Sequence, residues 1–279
     1  MQSVKPLITF LIPTRKRLGM LKASIESLES TCSKFNSFEV IAIFDEDDID
    51  TIEGMKALKF QCTVKIVISK RHGYYGLHQY INNAYEHGSG SWFWLWNDDL
   101  TMVSTGWDDV VRGYKNRFVI LNSSNINPDW SDYCKDATIS PLVPRRWFEL
   151  LKRFSAYSQY DTYVNSIAYR LNIVINEPRL INNHEQVHDE VSDGISYDVS
   201  QFPAVDSEYD YLLLRQYLGK KNLFINWLER SPYRLERALR RKKRHFKRMF
   251  SQGYLHSRLN WKNVSKKIFK SLQSKTPKE

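Results

Sequence analysis

The sequence predicts an α/β fold with a mostly parallel sheet flanked by helices, and three observations carry that expectation. Short, wholly apolar runs alternate with segments whose apolar residues recur at helical spacing. Proline or a cluster of acids closes several of those runs. With 279 residues, 42% of them hydrophobic, the chain can bury the core of one large domain or two small ones.

Ile8–Ile12 is an apolar run closed by Pro13, the pattern of a fully buried strand. Leu18, Leu21, Ile25 and Leu28 then supply a helical stripe. Phe38–Phe44 is a second strand, ended by Asp45, Glu46, Asp47 and Asp48, and Val64–Ile68 is a third. Asn82–His87 reads as helical and stops at Gly88. Trp92–Trp96 is a fourth strand, ended by Asn97, Asp98 and Asp99, and Phe118–Leu121 a fifth. Beyond residue 130 the alternation weakens. Thr138–Val143 is a candidate strand, Arg146–Phe154 a candidate helix, and Val164, Ile167, Ala168 and Leu171 give helical spacing after Asp161. Residues 182–210 are polar and read as a long loop, a feature that is functional or disordered in compact domains. An apolar helical pattern over 207–228 follows.

Composition excludes wholesale disorder. Cys32, Cys62 and Cys134 stand far apart without CxxC spacing, so they read as reduced thiols in a reducing compartment, not as a disulfide framework or zinc site. The apolar stretch at Leu7–Ile12 is too short for a signal-peptide core, and no run approaches the roughly 20 apolar residues of a membrane span. A cytoplasmic protein is the expectation.

Charge divides the chain in two. Residues 229–279 hold 17 Lys and Arg against 3 Asp and Glu, whereas residues 1–228 hold 24 against 28. A catalytic body over 1–228 and a basic, helical C-terminal extension over 229–279 are therefore expected. A uniformly basic nucleic-acid binder would not divide its charge this way.

In open α/β sheets ligands bind outside the carboxyl ends of the strands. The polar clusters Thr14–Arg17, Asp45–Asp48 and Asp98–Asp99 all follow strands. The sharpest motif is WFWLWNDDL, Trp92 to Leu100. Adjacent carboxylates leaving a buried strand repel each other unless a cation or donors neutralise them. Mg²⁺ or Mn²⁺, completed by phosphate oxygens, is the natural partner. The plainer reading is an Asn-Asp-Asp turn capping a helix.

The ordered set ITFLIPTRKR, FDEDD and HGYYGLHQYINNAYEHGSGSWFWLWNDDL resembles the family 2-like glycosyltransferases of the GT-A fold, which is Rossmann-like, over roughly residues 6–110 and more loosely to about 200. The resemblance implies a nucleotide diphosphate sugar donor, a hydroxyl acceptor on a glycan or lipid-linked molecule, and Mn²⁺ or Mg²⁺ as cofactor. It places Pro13, Thr14 and Arg15 in the loop at the nucleotide, and Asp45 at the nucleoside with Asp47 nearby. His72, Gly73 and Asn82 fall in the segment lining the nucleotide pocket. Asp98 and Asp99 match the end of the metal motif, with Asp99 as ligand and Asp98 on the nucleotide side. Asn97 departs from the family pattern, where many members carry Asp or another residue. Asp161 matches the general base, although the family's commoner Glu-Asp pair is here Tyr160-Asp161. An inverting transfer needs such a base to take the acceptor's proton, while the plainer reading of Asp161 is a helix N-cap. His184 matches a late metal-ligating histidine, with His188 in reserve.

The segment RLERALRRKKRHFKRMF carries nine Lys and Arg. An anionic membrane surface is its first expected partner, with Leu235, Leu239, Phe246 and Phe250 as apolar contacts. A solvated face comes second and nucleic acid last. Two rival functions stay in view. A nucleotidyltransferase would use similar strand-end carboxylates, but its Gly-rich, Lys-containing loop is missing from PTRKRLG. A non-enzymatic nucleic-acid-binding protein would act through the tail alone.

Overall fold

A computed structural model describes residues 5–127, 138–185 and 206–219. Eight strands form one sheet: β1 (Ile8–Thr14), β2 (Phe38–Asp45), β3 (Thr63–Ser69), β4 (Trp92–Leu95), β5 (Leu100–Met102), β6 (Ile120–Asn125), β7 (Leu142–Pro144) and β8 (Val174–His184). Their order is β3-β2-β1-β4-β7-β6-β8-β5. β3, β2, β1 and β4 run parallel, as does the β6–β8 pair, while β7 and β5 pair antiparallel to their neighbours.

Helices cover the sheet: α1 (Leu18–Thr31), α2 (Ile49–Ala57), α3 (Leu77–Asn83), α4 (Trp107–Arg112), α5 (Arg145–Leu151), α6 (Tyr160–Leu171) and, over residues 208–219, α7. The expected stripe Leu21, Ile25 and Leu28 is the buried face of α1. The helix expected at Asn82–His87 begins earlier, as α3, and closes with a single 3-10 turn over Ala84–His87.

The core lies on both faces of the sheet, and the run Trp92–Trp96 shows why it is uniformly apolar. Side chains alternate along a strand. Trp92, Trp94 and Trp96 therefore join Phe10, Phe38 and Trp107 on one face. Phe93 and Leu95 join Phe154, Val164 and Ile167 on the other. Trp94 stacks on Phe10 with centroids 5.2 Å apart, and Trp107 meets Phe10 edge-on at 5.3 Å. The indole N–H groups of Trp94 and Trp96 donate to the Ser140 carbonyl and the Ser24 hydroxyl, so those two donors are satisfied in the core.

The second half departs from the sequence expectation for a physical reason. The expected strand Thr138–Val143 shrinks to β7, and the strand expected at Phe118–Leu121 shifts to β6. β6 carries Asn122, Ser123 and Asn125, all buried, in a run that reads as loop by hydropathy. They bond across the sheet: Asn125 donates to Asn182, Asn182 donates to Ser123, and Asn122 donates to Asn176. Residues 182–184, expected in a loop, close β8. The basic extension over 229–279 lies outside the described residues.

Candidate active site

The loop leaving β1 is pinned to acids from two other strand ends, one residue after another. The Thr14 hydroxyl donates to Asp98 Oδ2 at 2.7 Å. Arg15 donates to Asp45 Oδ2 at 3.0 Å and grips both oxygens of Asp47 at 2.5 and 3.0 Å. The Lys16 backbone N–H, at a left-handed φ of 54°, donates to Asp48 Oδ2. Arg17 reaches Asp98 Oδ1 at 3.3 Å. The acids expected to gather at one edge of the sheet do gather there, and much of their charge is answered by this loop. Pro13 sits in β1 immediately before it. The Arg15 guanidinium holds the Asp47 carboxyl below its usual range.

Asp45 ends β2 and is almost fully buried, at 4% exposure. Its Oδ1 accepts from the Tyr80 hydroxyl, whose oxygen in turn accepts from the backbone N–H groups of His72 at 2.7 Å and Gly73 at 3.2 Å. Burial and the neighbouring Asp45 charge push the Tyr80 phenol up to about 12, so it stays a donor. Tyr80 thus ties the 72–73 segment to Asp45. Sequence reading missed this residue, because a buried tyrosine on a helix looks like core. Gly73 has φ 65°, a conformation that favours glycine.

Asn82, expected along the nucleotide pocket, is occupied elsewhere. Its Oδ1 accepts from Phe154 N at 2.7 Å and its Nδ2 donates to the Ser155 carbonyl at 2.7 Å. Its visible work is to hold the chain that leads towards α6.

Asp98 and Asp99 follow β4 and separate in role. Asp98 is held by Thr14 and Arg17. Burial, reinforced by the Asp99 charge, pushes its carboxyl up to about 6 against the opposing pull of Arg17 and Thr14. Asp99 turns instead to His184, whose Nε2 lies 3.0 Å from Asp99 Oδ1. Strand pairing makes that meeting unavoidable. β5 follows Asp99 directly, and its first residue, Leu100, is registered against His184. The Glu185 N–H donates to the Asp99 carbonyl, and the Asn127 side chain donates to the His184 carbonyl. His184 is therefore on a strand, fixed from both sides. His188 lies outside the described residues.

Asp99 and His184 fit a divalent cation by the chemistry of their donors. A carboxylate oxygen and an imidazole nitrogen converge, with side-chain exposures of only 11% and 8%. Mn²⁺ accepts such a set, and Mg²⁺ in nucleotide enzymes is commonly held by one or two protein ligands plus substrate phosphates. No group of three or more such ligands converges among the described residues.

Asp161 is the second residue of α6, whose cap position is Gln159. The N-cap reading of Asp161 therefore does not describe its place. The carboxylate is partly exposed yet crowded by protein, and burial pushes it up to about 6 against hydrogen bonds from the Thr162 region. Beside it, the Tyr160 hydroxyl donates to Asn97 Oδ1.

The fold has solved counterparts. A mannosyltransferase from Pyrobaculum calidifontis in complex with GDP-Man and Mn²⁺ superposes with a TM-score of 0.53 at 13% identity, over 68% of this chain and 59% of that one. S. aureus TarS 1-349 in complex with UDP-GlcNAc gives 0.54 at 11% identity, over 76% of this chain and 71% of that one. At these identities the likeness is one of fold, and the chain spans less than two thirds of the mannosyltransferase. No curated protein matches in sequence. The family model for glycosyl transferase family 2 matches residues 9–175, more than half of the chain, and on that match this protein belongs to glycosyl transferase family 2.

Proposed function

We propose that this chain transfers a sugar from a nucleotide diphosphate sugar to a hydroxyl group, with inversion at the anomeric carbon. The observation that carries the reading is the meeting of Asp99 with His184 at 3.0 Å, on the turn that Tyr160 joins to Asp161. Mn²⁺ or Mg²⁺ would be held by Asp99 and His184. When bound, it neutralises the charge of the departing diphosphate.

The rest belongs to the chain's own residues. The loop of Pro13, Thr14 and Arg15, with Asp45 and Asp47, takes the nucleoside end of the donor. His72 and Gly73, anchored through Tyr80, border that end. Asp98, fixed by Thr14 and Arg17, presents the β4 turn to the nucleotide. Asp161 accepts the proton of the acceptor hydroxyl as its oxygen attacks the anomeric carbon. The acceptor is a glycan or a lipid-linked molecule, and the basic extension favours a site of action at an anionic surface. Among the described residues no helix is long and apolar enough to cross a membrane.

Calorimetric titration with UDP-GlcNAc and GDP-mannose, with and without Mn²⁺, tests the reading. Metal-dependent binding of one donor, with slow release of its nucleoside diphosphate, is expected. Binding of nucleoside triphosphates in preference to both sugars would replace it with nucleotidyl transfer.

A further inference from the structure

The Asp161 carboxylate accepts hydrogen bonds within the first turn of α6, but those bonds do not tie the turn to the rest of the fold. Helix starts leave N–H groups without intrahelical partners and fray unless tied down. Gln159, at the cap position, makes no side-chain capping hydrogen bond. Further along, α6 is well fixed: Asn165 donates to the Thr138 carbonyl at 3.0 Å, and the nearby Ser140 hydroxyl donates to the Leu95 carbonyl at 2.6 Å. Those bonds secure the helix one turn past Asp161. At the first turn the tie is Tyr160, 5% exposed, whose hydroxyl donates to Asn97 Oδ1. Asn97 opens the turn that carries Asp98 and Asp99, closed by the Leu100 N–H donating to the Asn97 carbonyl at 3.2 Å.

We propose that the Tyr160–Asn97 hydrogen bond is a positioning device, which fixes Asp161 relative to the Asp98–Asp99 turn and so sets the gap between the proton-accepting carboxylate and the donor's diphosphate. Tyr160 and Asn97 act through their neighbours and do not touch the reacting atoms. Burial, with the charges of Asp161, Asp99 and Asp98 around it, holds the Tyr160 phenol well above its ordinary range, so it remains a donor throughout the working pH. Only the fold shows that Tyr160 supplies the donor and Asn97 the acceptor of a single bond.

The inference rests on the sugar-transfer reading, and its test separates the two. The assay is release of nucleoside diphosphate from UDP-GlcNAc or GDP-mannose by the full chain with Mn²⁺, water serving as acceptor. Tyr160→Phe and Asn97→Ala should each lower kcat roughly 10- to 100-fold, the range expected when reacting groups shift by about an ångström. KM for the donor and the calorimetric affinity for UDP or GDP with Mn²⁺ should stay within about twofold, because ground-state binding is untouched. The double variant should fall no further than the worse single, since both remove one bond. A merely structural bond would lower the melting temperature and leave the kcat of the folded enzyme unchanged, and that result overturns the proposal. So do losses that multiply in the double variant. Should Tyr160→Phe fail to fold, Asn97→Ala removes the same bond from a half-buried turn. If wild type is active and Asp161→Asn is not, yet both bond-breaking variants keep wild-type kcat, the positioning role alone fails. If wild type binds and cleaves neither donor, the sugar-transfer reading fails and takes this inference with it.

Discussion

A carboxylate that accepts a proton works best when its pKa lies near the working pH, and burial has moved Asp161 up to about 6. Since the base must be ionised, kcat/KM should rise through about pH 6 and level off above it. A rising limb that persists in Asp161→Asn would belong instead to Asp98, which is also pushed up to about 6. The same shift works against stability. A carboxyl whose folded pKa is raised contributes stability that is complete below its unfolded pKa and lost as pH rises through the folded value. Asp161→Asn should therefore lose roughly 10²- to 10⁴-fold in turnover while melting no lower than wild type at neutral pH. Asp99 makes the complementary case. Asp99→Asn removes a ligand charge without removing core, so turnover should collapse and Mn²⁺ should cease to improve UDP or GDP affinity in calorimetry. Full Mn²⁺ enhancement in that variant would take the cation away from Asp99.

Elements place these side chains, and the elements were unequally legible. The strands β1, β2 and β4 could be read from hydropathy because both of their faces are buried, so each is a nearly continuous apolar run. β3 is half-exposed along its length. The short α2, α4 and β5 were not anticipated. β5 has three residues, too few to show a period, yet it brings His184 to Asp99. β6 and the end of β8 were hidden by asparagines that satisfy one another only across the sheet. The acids adjacent to strand ends were legible as such. Tyr80 was not, because its hydroxyl's value depends on Asp45 and on the 72–73 backbone, which meet it only in the fold. On the proposed reading Asp45→Ala carries two costs: the proposed charged acceptor for the nucleotide, and the anchor of the 72–73 segment. Affinity for UDP or GDP should fall by about 1.5–3 kcal/mol. Tyr80→Phe, which keeps the carboxylate but frees the segment, should show a smaller loss. Equal affinities in wild type and Asp45→Ala would assign the β2 carboxylates to the internal pairing with Arg15 alone.

At the scale of the whole molecule the separation of charge remains to be used. Residues 1–228 carry 28 acids against 24 bases and fold their site around carboxylates; residues 229–279 carry 17 bases against 3 acids. A glycosyltransferase acting on soluble sugars gains nothing from such an extension, whereas one acting on lipid-linked or surface acceptors gains local concentration. Basic residues near an anionic surface contribute about 1 kcal/mol each, and the attraction is screened within a Debye length of about 10 Å at 0.1 M salt. Changing Arg240, Arg241, Lys242, Lys243 and Arg244 to Gln in the full chain removes charge without shortening it. Co-sedimentation with phosphatidylserine-containing vesicles should then weaken and lose much of its salt dependence, while neutral phosphatidylcholine vesicles bind neither protein well. Release of nucleoside diphosphate in the absence of vesicles should be unchanged, because none of the five residues belongs to the proposed site. Vesicle binding equal to wild type would leave the basic segment as a solvated face. Tighter, salt-sensitive binding to duplex DNA than to the vesicles, abolished by the same five changes, would instead make nucleic acid its partner.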